Sequence, residues 1–432
     1  MSRSPGGATT DPDGSVALRF VRGTLVTPTG PVAGDLVVRD GRITQVGGVE
    51  ATSHTGVPVR RDADEVVVDV DGLLVAPGFL DLQVNGGHGI DLTSELTAQP
   101  TRLFELGRRL PAQGVTAFLP TIVSAPPGCV DAAVAALDTA PPGYLGAAAL
   151  GVHAEGPMLA PAKRGTHDPR YLRAPAPSVI DGWSRDTGVV MVTVAPELPG
   201  ALAVIRELTA RGVVVSIGHT AASYEATIAA IDAGARGGTH LFNAMAAWTA
   251  RDPGPVAALL ADPRPVLGLI VDGIHLHPGT VAAVWRAVGP DRVVLVTDAV
   301  ALAGSEEGSA VLGGRRVAVT DGVVRDEDGA LAGSVLTLDR ALRALVAATG
   351  TDPWLALRTV TAIPAALLGV EDRGALRPGA RGDLVVLTPD LEVVATFVGG
   401  SLAALPRPDR LPRPPDRPLL LPDPDRFPPD AP

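Results

Sequence analysis

Val213-Val214-Val215-Ser216-Ile217-Gly218-His219, then Ala221 to Ala233, then Gly238-Thr239-His240-Leu241: this stretch decides the fold. A short run rich in β-branched residues reads as a strand buried on both faces. The Ala-rich segment reads as a helix, and a second short strand follows it. Both strands carry a histidine at or next to their C-terminal end. The same unit recurs outward in both directions, giving eight apolar runs: Phe79–Val84, Val115–Leu119, Ala147–Val152, Val189–Val194, Val213–Ile217, Gly238–Leu241, Val266–Val271 and Val293–Val296. Helical stretches such as Thr101–Gln113, Ala201–Arg211 and Thr280–Ala287 lie between them. Strands that alternate with helices imply a parallel sheet covered on both faces, and eight units imply a closed (β/α)8 TIM-like barrel. A doubly wound sheet would also carry polar strand ends, but it would gather them at one switch point. Here every run is followed by polar groups: Gln83 and Asn85, Thr121, His153 and Glu155, Glu197, His219, His240, Asp272 and His275, then Asp298. Barrel enzymes build their sites at that rim, so these side chains are expected to converge.

Outside the barrel, short β-rich runs occur near both ends of the chain. Ala17–Phe20, Asp35–Val38 and Arg42–Val46 stand at one end, and Gly382–Leu387 and Leu391–Val398 at the other. Asp40-Gly41 is a two-residue hairpin signal, because the turn it favours needs positive φ at both positions. The expected organisation is a leader at 1–14 and a barrel at 76–365. A small β-sandwich domain is formed from both chain ends, 15–75 and 366–405, and a tail follows at 406–432. The tail has 11 prolines in 27 residues, too many for helix or ladder, and reads as extended or disordered.

The 432 residues carry 36 basic and 47 acidic side chains, a net charge of −11. Nucleic-acid and anionic-membrane binding are disfavoured, since both need a cationic surplus. Cys129 stands alone, which excludes an intrachain disulfide and a thiolate zinc knuckle. The start lacks the apolar core of a secretory signal, and no apolar run approaches 18 residues, so a cytoplasmic protein is expected.

Two imidazoles, His219 and His240, and one carboxylate, Glu155, form a set that suits a catalytic divalent cation with an open position. A bland alternative is a group of buried, hydrogen-bonded polar side chains at a barrel mouth. Asp298, after the last apolar run, is placed to take a proton from water and return it to a leaving amine, unless it merely caps the next segment. His275 could donate to an oxygen on which negative charge develops. Arg251 could grip a phosphate or carboxylate, and the alternative for it is a solvated surface cation. Lys163, the only lysine, lies with Arg164 and His167 in a Pro/Gly-rich loop that reads as a lid. It is not on a strand, so a carbamylated-lysine metal bridge is excluded.

The motifs resemble those of the N-acetylglucosamine-6-phosphate deacetylase family of the amidohydrolase superfamily. They are Pro77–Gly86, Gly151-Val152-His153-Ala154-Glu155-Gly156-Pro157, Gly218-His219-Thr220, Thr239–Met245, Asp272–His275, Val296–Ala299 and Leu331–Ser334, and the likeness spans roughly residues 17–400. The resemblance implies one divalent metal ion, zinc with Fe2+, Co2+ or Mn2+ as alternatives, on Glu155, His219 and His240. It implies catalysis by Asp298 with help from His275. Asn243, the Ala244 backbone, Arg251, His167 and His275 would contact an amino-sugar phosphate, some of them from a neighbouring subunit of a homodimer or homotetramer. Many superfamily members carry His-x-His where this chain has Gln83-Val84-Asn85. Amides are poor ligands, so a second, vestigial metal position at Gln83 and Asn85 is expected to be weak or empty. The rival readings are an amidohydrolase for a cyclic amide or an N-acyl amino acid, and a non-catalytic sugar-binding barrel.

Overall fold

A computed structural model describes residues 17–48, 65–305 and 308–411. The expected leader at 1–14 and the tail beyond residue 411 lie outside the described residues. Within the described part of the tail, Pro408–Arg410 makes a single 3-10 turn, one short helical element more than its proline content predicts.

Eight parallel strands form a nearly closed barrel: Phe79–Val84, Val115–Val123, Val152–Glu155, Val189–Val194, Val214–Ile217, Gly237–Gly238, Val266–Leu269 and Val293–Leu295. Each pairs in parallel with the next. Between the last strand and the first, the lower part of the seam is filled by the backbone of Thr359 and Val360. These carbonyls accept from Leu295 and Leu80 at 3.2 and 2.8 Å. Higher up, the Asp298 N–H reaches the Gln83 carbonyl at 2.9 Å, and Asp81 accepts from the Thr297 hydroxyl at 2.6 Å and from its N–H at 3.2 Å.

Two strands sit elsewhere than the apolar runs suggest. Ala147–Val152 supplies only the two-residue strand Ala148–Ala149, and the third barrel strand begins at Val152. Gly151 breaks the run at φ +129°, where a Cβ would come within 2.4 Å of Val190. The sixth strand is Gly237–Gly238 and stops before His240, whose backbone has turned to φ +26°. The helices follow the expected pattern. Arg102–Arg109 continues into a 3-10 turn, and Ala201–Ala210, Tyr224–Asp232 and Pro278–Val288 alternate with the strands. Ser223 caps its helix by accepting from the Ala226 N–H.

Two further sheets bring the chain ends together. One has the strand order Arg42–Val46, Leu36–Arg39, Ala17–Val21, Glu65–Asp69. The other runs Ser401–Ala404, Val393–Val398, Leu384–Leu387, Leu74–Pro77, Thr24–Thr27, Gly30–Ala33. Asp40 and Gly41 both have positive φ in the hairpin between Leu36–Arg39 and Arg42–Val46. Leu384 and Val386 join Phe20, Leu36 and Phe397 in the core between these sheets. Val385 and Leu387 point the other way, into the barrel's outer core. The period-2 alternation of one strand thus serves two cores.

A third sheet, Gly308–Leu312, Arg315–Thr320 and Val323–Asp326, follows the last barrel strand and was not expected. Its signal is present in the sequence. Gly313-Gly314 and Asp321-Gly322 are both two-residue hairpin turns, and the strand between them, Arg315–Thr320, buries Val317 and Val319 while Arg316 and Ala318 are exposed.

Candidate active site

The strand ends deliver the side chains. Glu155 is the last residue of the third strand, His219 stands two past the fifth, His240 two past the sixth, and Asp298 three past the eighth. His219 and Asp298 have φ +49°, and His240 has φ +26°. The backbone therefore leaves the strand direction at each of these residues and turns the side chain inward over the barrel mouth. L-residues adopt this region at a cost of about 1–2 kcal/mol each, so the surrounding packing must hold them there.

Glu155, His219 and His240 meet. His240 Nε2 lies 3.0 Å and His219 Nε2 3.3 Å from Glu155 Oε1, and the two Nε2 atoms are 3.2 Å apart. All three residues are buried. His219 donates its Nδ1 proton to the Lys163 carbonyl at 2.9 Å, so a neutral ring presents a lone pair at Nε2. That lone pair faces a carboxylate oxygen and a second Nε2, an arrangement that needs positive charge between the three atoms. The donor set therefore fits a divalent cation on the chemistry of its own atoms. Burial pushes the Glu155 carboxyl up, but positive charge at the Nε2 side of His219 and His240 outweighs this and holds it well below the usual carboxylate range.

Gln83 and Asn85 stand beside this cluster as donors. Gln83 Nε2 reaches Glu155 Oε1 at 3.0 Å and Asp298 Oδ1 at 3.1 Å, and Asn85 Nδ2 reaches Asp298 Oδ1 at 2.7 Å. Amide N–H groups thus occupy the space beside the carboxylates. Asp298 Oδ1 is engaged by both amides. Its carboxyl is pushed up to about 6 by burial and then by the charge of Glu155. Gly333 packs tightly behind it at φ +63°, where a Cβ would lie 2.7 Å from the Asp298 carbonyl.

Glu155, His219, His240, Asn85 and Asp298 line a cavity of about 340 Å³ at the barrel mouth, together with Asn243, Ala244, His275, His167 and Lys163. His167 Nδ1 accepts from the Ser124 N–H at 3.1 Å, so its proton sits on Nε2, 3.8 Å from Glu155 Oε2. Burial lowers its pKa to about 3, so the ring is neutral at pH 7. His275 gives its Nδ1 to Asp272 at 2.6 Å, while Asp272 Oδ1 accepts the N–H groups of Ile274 and His275.

Other rim residues stay apart. His153 lies inside the barrel in a chain of hydroxyls, 2.8 Å from Thr193, which is 2.9 Å from Thr239 and through it reaches Ser216. Burial lowers its pKa to about 4. Thr121 joins the same interior layer, and Glu197 accepts from Thr220 and the Ala221 N–H instead of facing the cavity. Arg251 is exposed and does not line the cavity of its own chain. Thr249 and Asp252 close a surface turn, and Arg251 sits on it. Sequence reasoning passed over Ser124, Thr166, Leu312 and Gly313. The last two come from the unexpected third sheet, so its hairpin signals were the means of finding them.

The arrangement can hold a cation, place a carboxylate beside it and present imidazole N–H groups to a bound carbonyl. Comparison with known proteins gives a consistent picture. The amidohydrolase family model matches residues 74–403. A rat N-acetylglucosamine-6-phosphate deacetylase is 39% identical over 380 residues, 85% of this chain and 91% of that protein. An N-acetylgalactosamine-6-phosphate deacetylase from Escherichia coli O157:H7 is 38% identical over 343 residues, 78% of this chain and 90% of its own length. The Mycobacterium smegmatis N-acetyl-D-glucosamine-6-phosphate deacetylase, solved as a mutant with N-acetyl-D-glucosamine-6-phosphate, superposes with a TM-score of 0.78 at 35% identity. The match covers 90% of this chain and 99% of that one.

Proposed function

The chain belongs to the amidohydrolase family, among its N-acetylglucosamine-6-phosphate deacetylases, and from that premise we propose that it hydrolyses N-acetylglucosamine 6-phosphate to glucosamine 6-phosphate and acetate. The observation that carries this reading is the meeting of Glu155, His219 and His240 with Asp298 one amide away. The three side chains would hold one divalent cation, zinc by preference, with Fe2+, Co2+ and Mn2+ accepted by the same donors. When bound, the cation polarises the amide carbonyl and acidifies water. Gln83 and Asn85 fill the neighbouring position with N–H donors, which favours one cation over two.

Asp298, oriented by the two amides, takes a proton from the attacking water. His275, its ring turned by Asp272, donates through Nε2 to the carbonyl oxygen as the tetrahedral centre forms. The C–N bond then breaks, and Asp298 returns its proton to the departing amine. Asn243, the Ala244 backbone, His167 and His275 position the sugar phosphate. Arg251, exposed on its own subunit, serves the phosphate of a second copy in a homodimer or homotetramer. A phosphorylated sugar does not cross membranes unaided, which favours the cytoplasm, and among the described residues no helix is long and apolar enough to cross one. The division into a barrel at 76–365 and a small β domain at 15–75 with 366–405 belongs to the same proposal.

Asp298→Asn should lower kcat by about 10²–10⁴-fold while the metal content stays at the wild-type level. Near-normal turnover in that variant overturns the assigned role. The 6-phosphate should be hydrolysed far faster than free N-acetylglucosamine, and equal rates count against a phosphate site. The E. coli relative supports a second reading, in which the galacto epimer is the better substrate. Assaying both 6-phosphates side by side decides between them.

A further inference from the structure

The third sheet takes no part in the chemistry above, yet close packing at one point and a buried carboxylate at another fasten it. At its first hairpin, Gly313 packs against Val123, whose side chain would lie 2.4 Å from a Cβ placed there. At the end of its last strand stands Asp326. Its Oδ1 accepts the N–H groups of Asp328 and Ala330 at 3.0 and 2.9 Å. Its Oδ2 accepts the Thr166 hydroxyl at 3.3 Å and lies 3.4 Å from the Arg315 guanidinium. Thr166 also lies 3.3 Å from the Leu331 carbonyl. Thr166 and Asp326 are only 8% and 7% exposed, so water competes little for these contacts.

Thr166 belongs to the segment from Ala160 to His167, which grips His219 on three sides. The Lys163 carbonyl accepts its Nδ1 proton at 2.9 Å. The Ala160 N–H donates to its carbonyl at 3.0 Å. The His167 ring meets its ring edge-on with centroids 4.5 Å apart. The acceptor on Nδ1 is a backbone carbonyl, so the path of the loop sets its place. The loop is tied to the third sheet by Thr166 on Asp326, with Arg164 Nη2 3.7 Å from Asp328 as a looser second tie.

We infer that Thr166 and Asp326 are positioning residues for the metal site. They hold the loop so that the Lys163 carbonyl keeps the His219 proton on Nδ1 and its Nε2 aimed at Glu155 and His240. The inference rests on the reading of those three residues as a cation site. Removing a direct partner of a metal-bound histidine costs about 10–100-fold in metal affinity. Thr166 and Asp326 act one step further out, so a loss of about three- to tenfold is expected.

The test is zinc affinity, measured by competition with a chelating dye on the full chain, together with the melting temperature of each metal-free protein. Wild type should bind one zinc, and Glu155→Gln should abolish tight binding. Thr166→Val and Asp326→Asn should each bind about three- to tenfold more weakly and release zinc faster, with the melting temperature unchanged. Thr166→Ser, which keeps the hydroxyl, should restore wild-type affinity. Wild-type affinity in Thr166→Val and Asp326→Asn overturns the inference. So does weak binding in Thr166→Ser equal to that in Thr166→Val, or a loss of affinity matched by a fall in metal-free melting temperature. If wild type binds no zinc that depends on Glu155, the cation site falls as well. If Glu155→Gln loses zinc and the Thr166 and Asp326 variants do not, only the positioning role falls.

Discussion

Asp272 shows how one carboxylate can set the role of a neighbour. It receives the Nδ1 proton of His275 at 2.6 Å, and backbone N–H groups hold its other oxygen, so His275 is left with Nε2 toward the cavity. Burial raises the Asp272 carboxyl, but the His275 hydrogen bond and charge outweigh this and keep it ionised. The negative charge of Asp272 stands behind the His275 ring, opposite the face it turns to the cavity. Asp272→Asn keeps the shape and loses that charge, so kcat should fall by roughly 10²-fold with zinc content unchanged. Steady-state kinetics with metal analysis checks this, and a change confined to KM would move His275 from catalysis to binding. At this scale the identity of Glu155, His219, His240 and Asp298 was legible, because each follows an apolar run. Their left-handed backbone was not, since nothing in the residue type announces φ +49° for a histidine.

The barrel seam joins elements that are far apart in sequence, and Asp81 sits in it. Its carboxyl accepts from the Thr297 hydroxyl and N–H and from the Gln83 N–H. Burial nevertheless pushes it up to about 7 from an ordinary value of 3.8. The folded chain thus holds this proton more tightly than the unfolded chain. The stability it contributes is fully present below pH 3.8 and is lost as pH rises through about 7. Asp81→Asn cannot ionise, so the stability of wild type relative to this variant should decline between pH 5 and pH 8. Denaturant titrations at both values test this, and a constant difference would mean that the carboxyl does not titrate in that window. Asp81 was read only as part of a shared motif, because its partner Thr297 lies 216 positions away. Strands and helices were legible from their periods. The third barrel strand was misplaced because Gly151 interrupts an apolar run that gives no other sign of a break.

Across the whole molecule, the two ends of the chain complete one small core. Phe20 and Phe397 meet edge-on with ring centroids 5.0 Å apart, and both are buried. Phe397→Ala should destabilise the protein by about 3–5 kcal/mol. A double-mutant cycle with Phe20→Ala should show coupling of about 0.5–1.5 kcal/mol, read from denaturant unfolding. Strand-rich ends were visible in the sequence, but the third sheet's place over the cavity was not, since contacts between distant segments, Thr166 with Asp326 and Val123 with Gly313, decide it. The joined ends also set a timetable. Arg42 donates to a carbonyl at Gly379, 337 positions later, and Leu74–Pro77 finds its antiparallel neighbour only when Leu384–Leu387 exists. At about 5–20 residues per second, a ribosome needs roughly 20–70 s to make that stretch. Throughout that interval the nascent N-terminal strands wait with an open edge, so slowing or stalling translation late in the message exposes the very surface that invites aggregation.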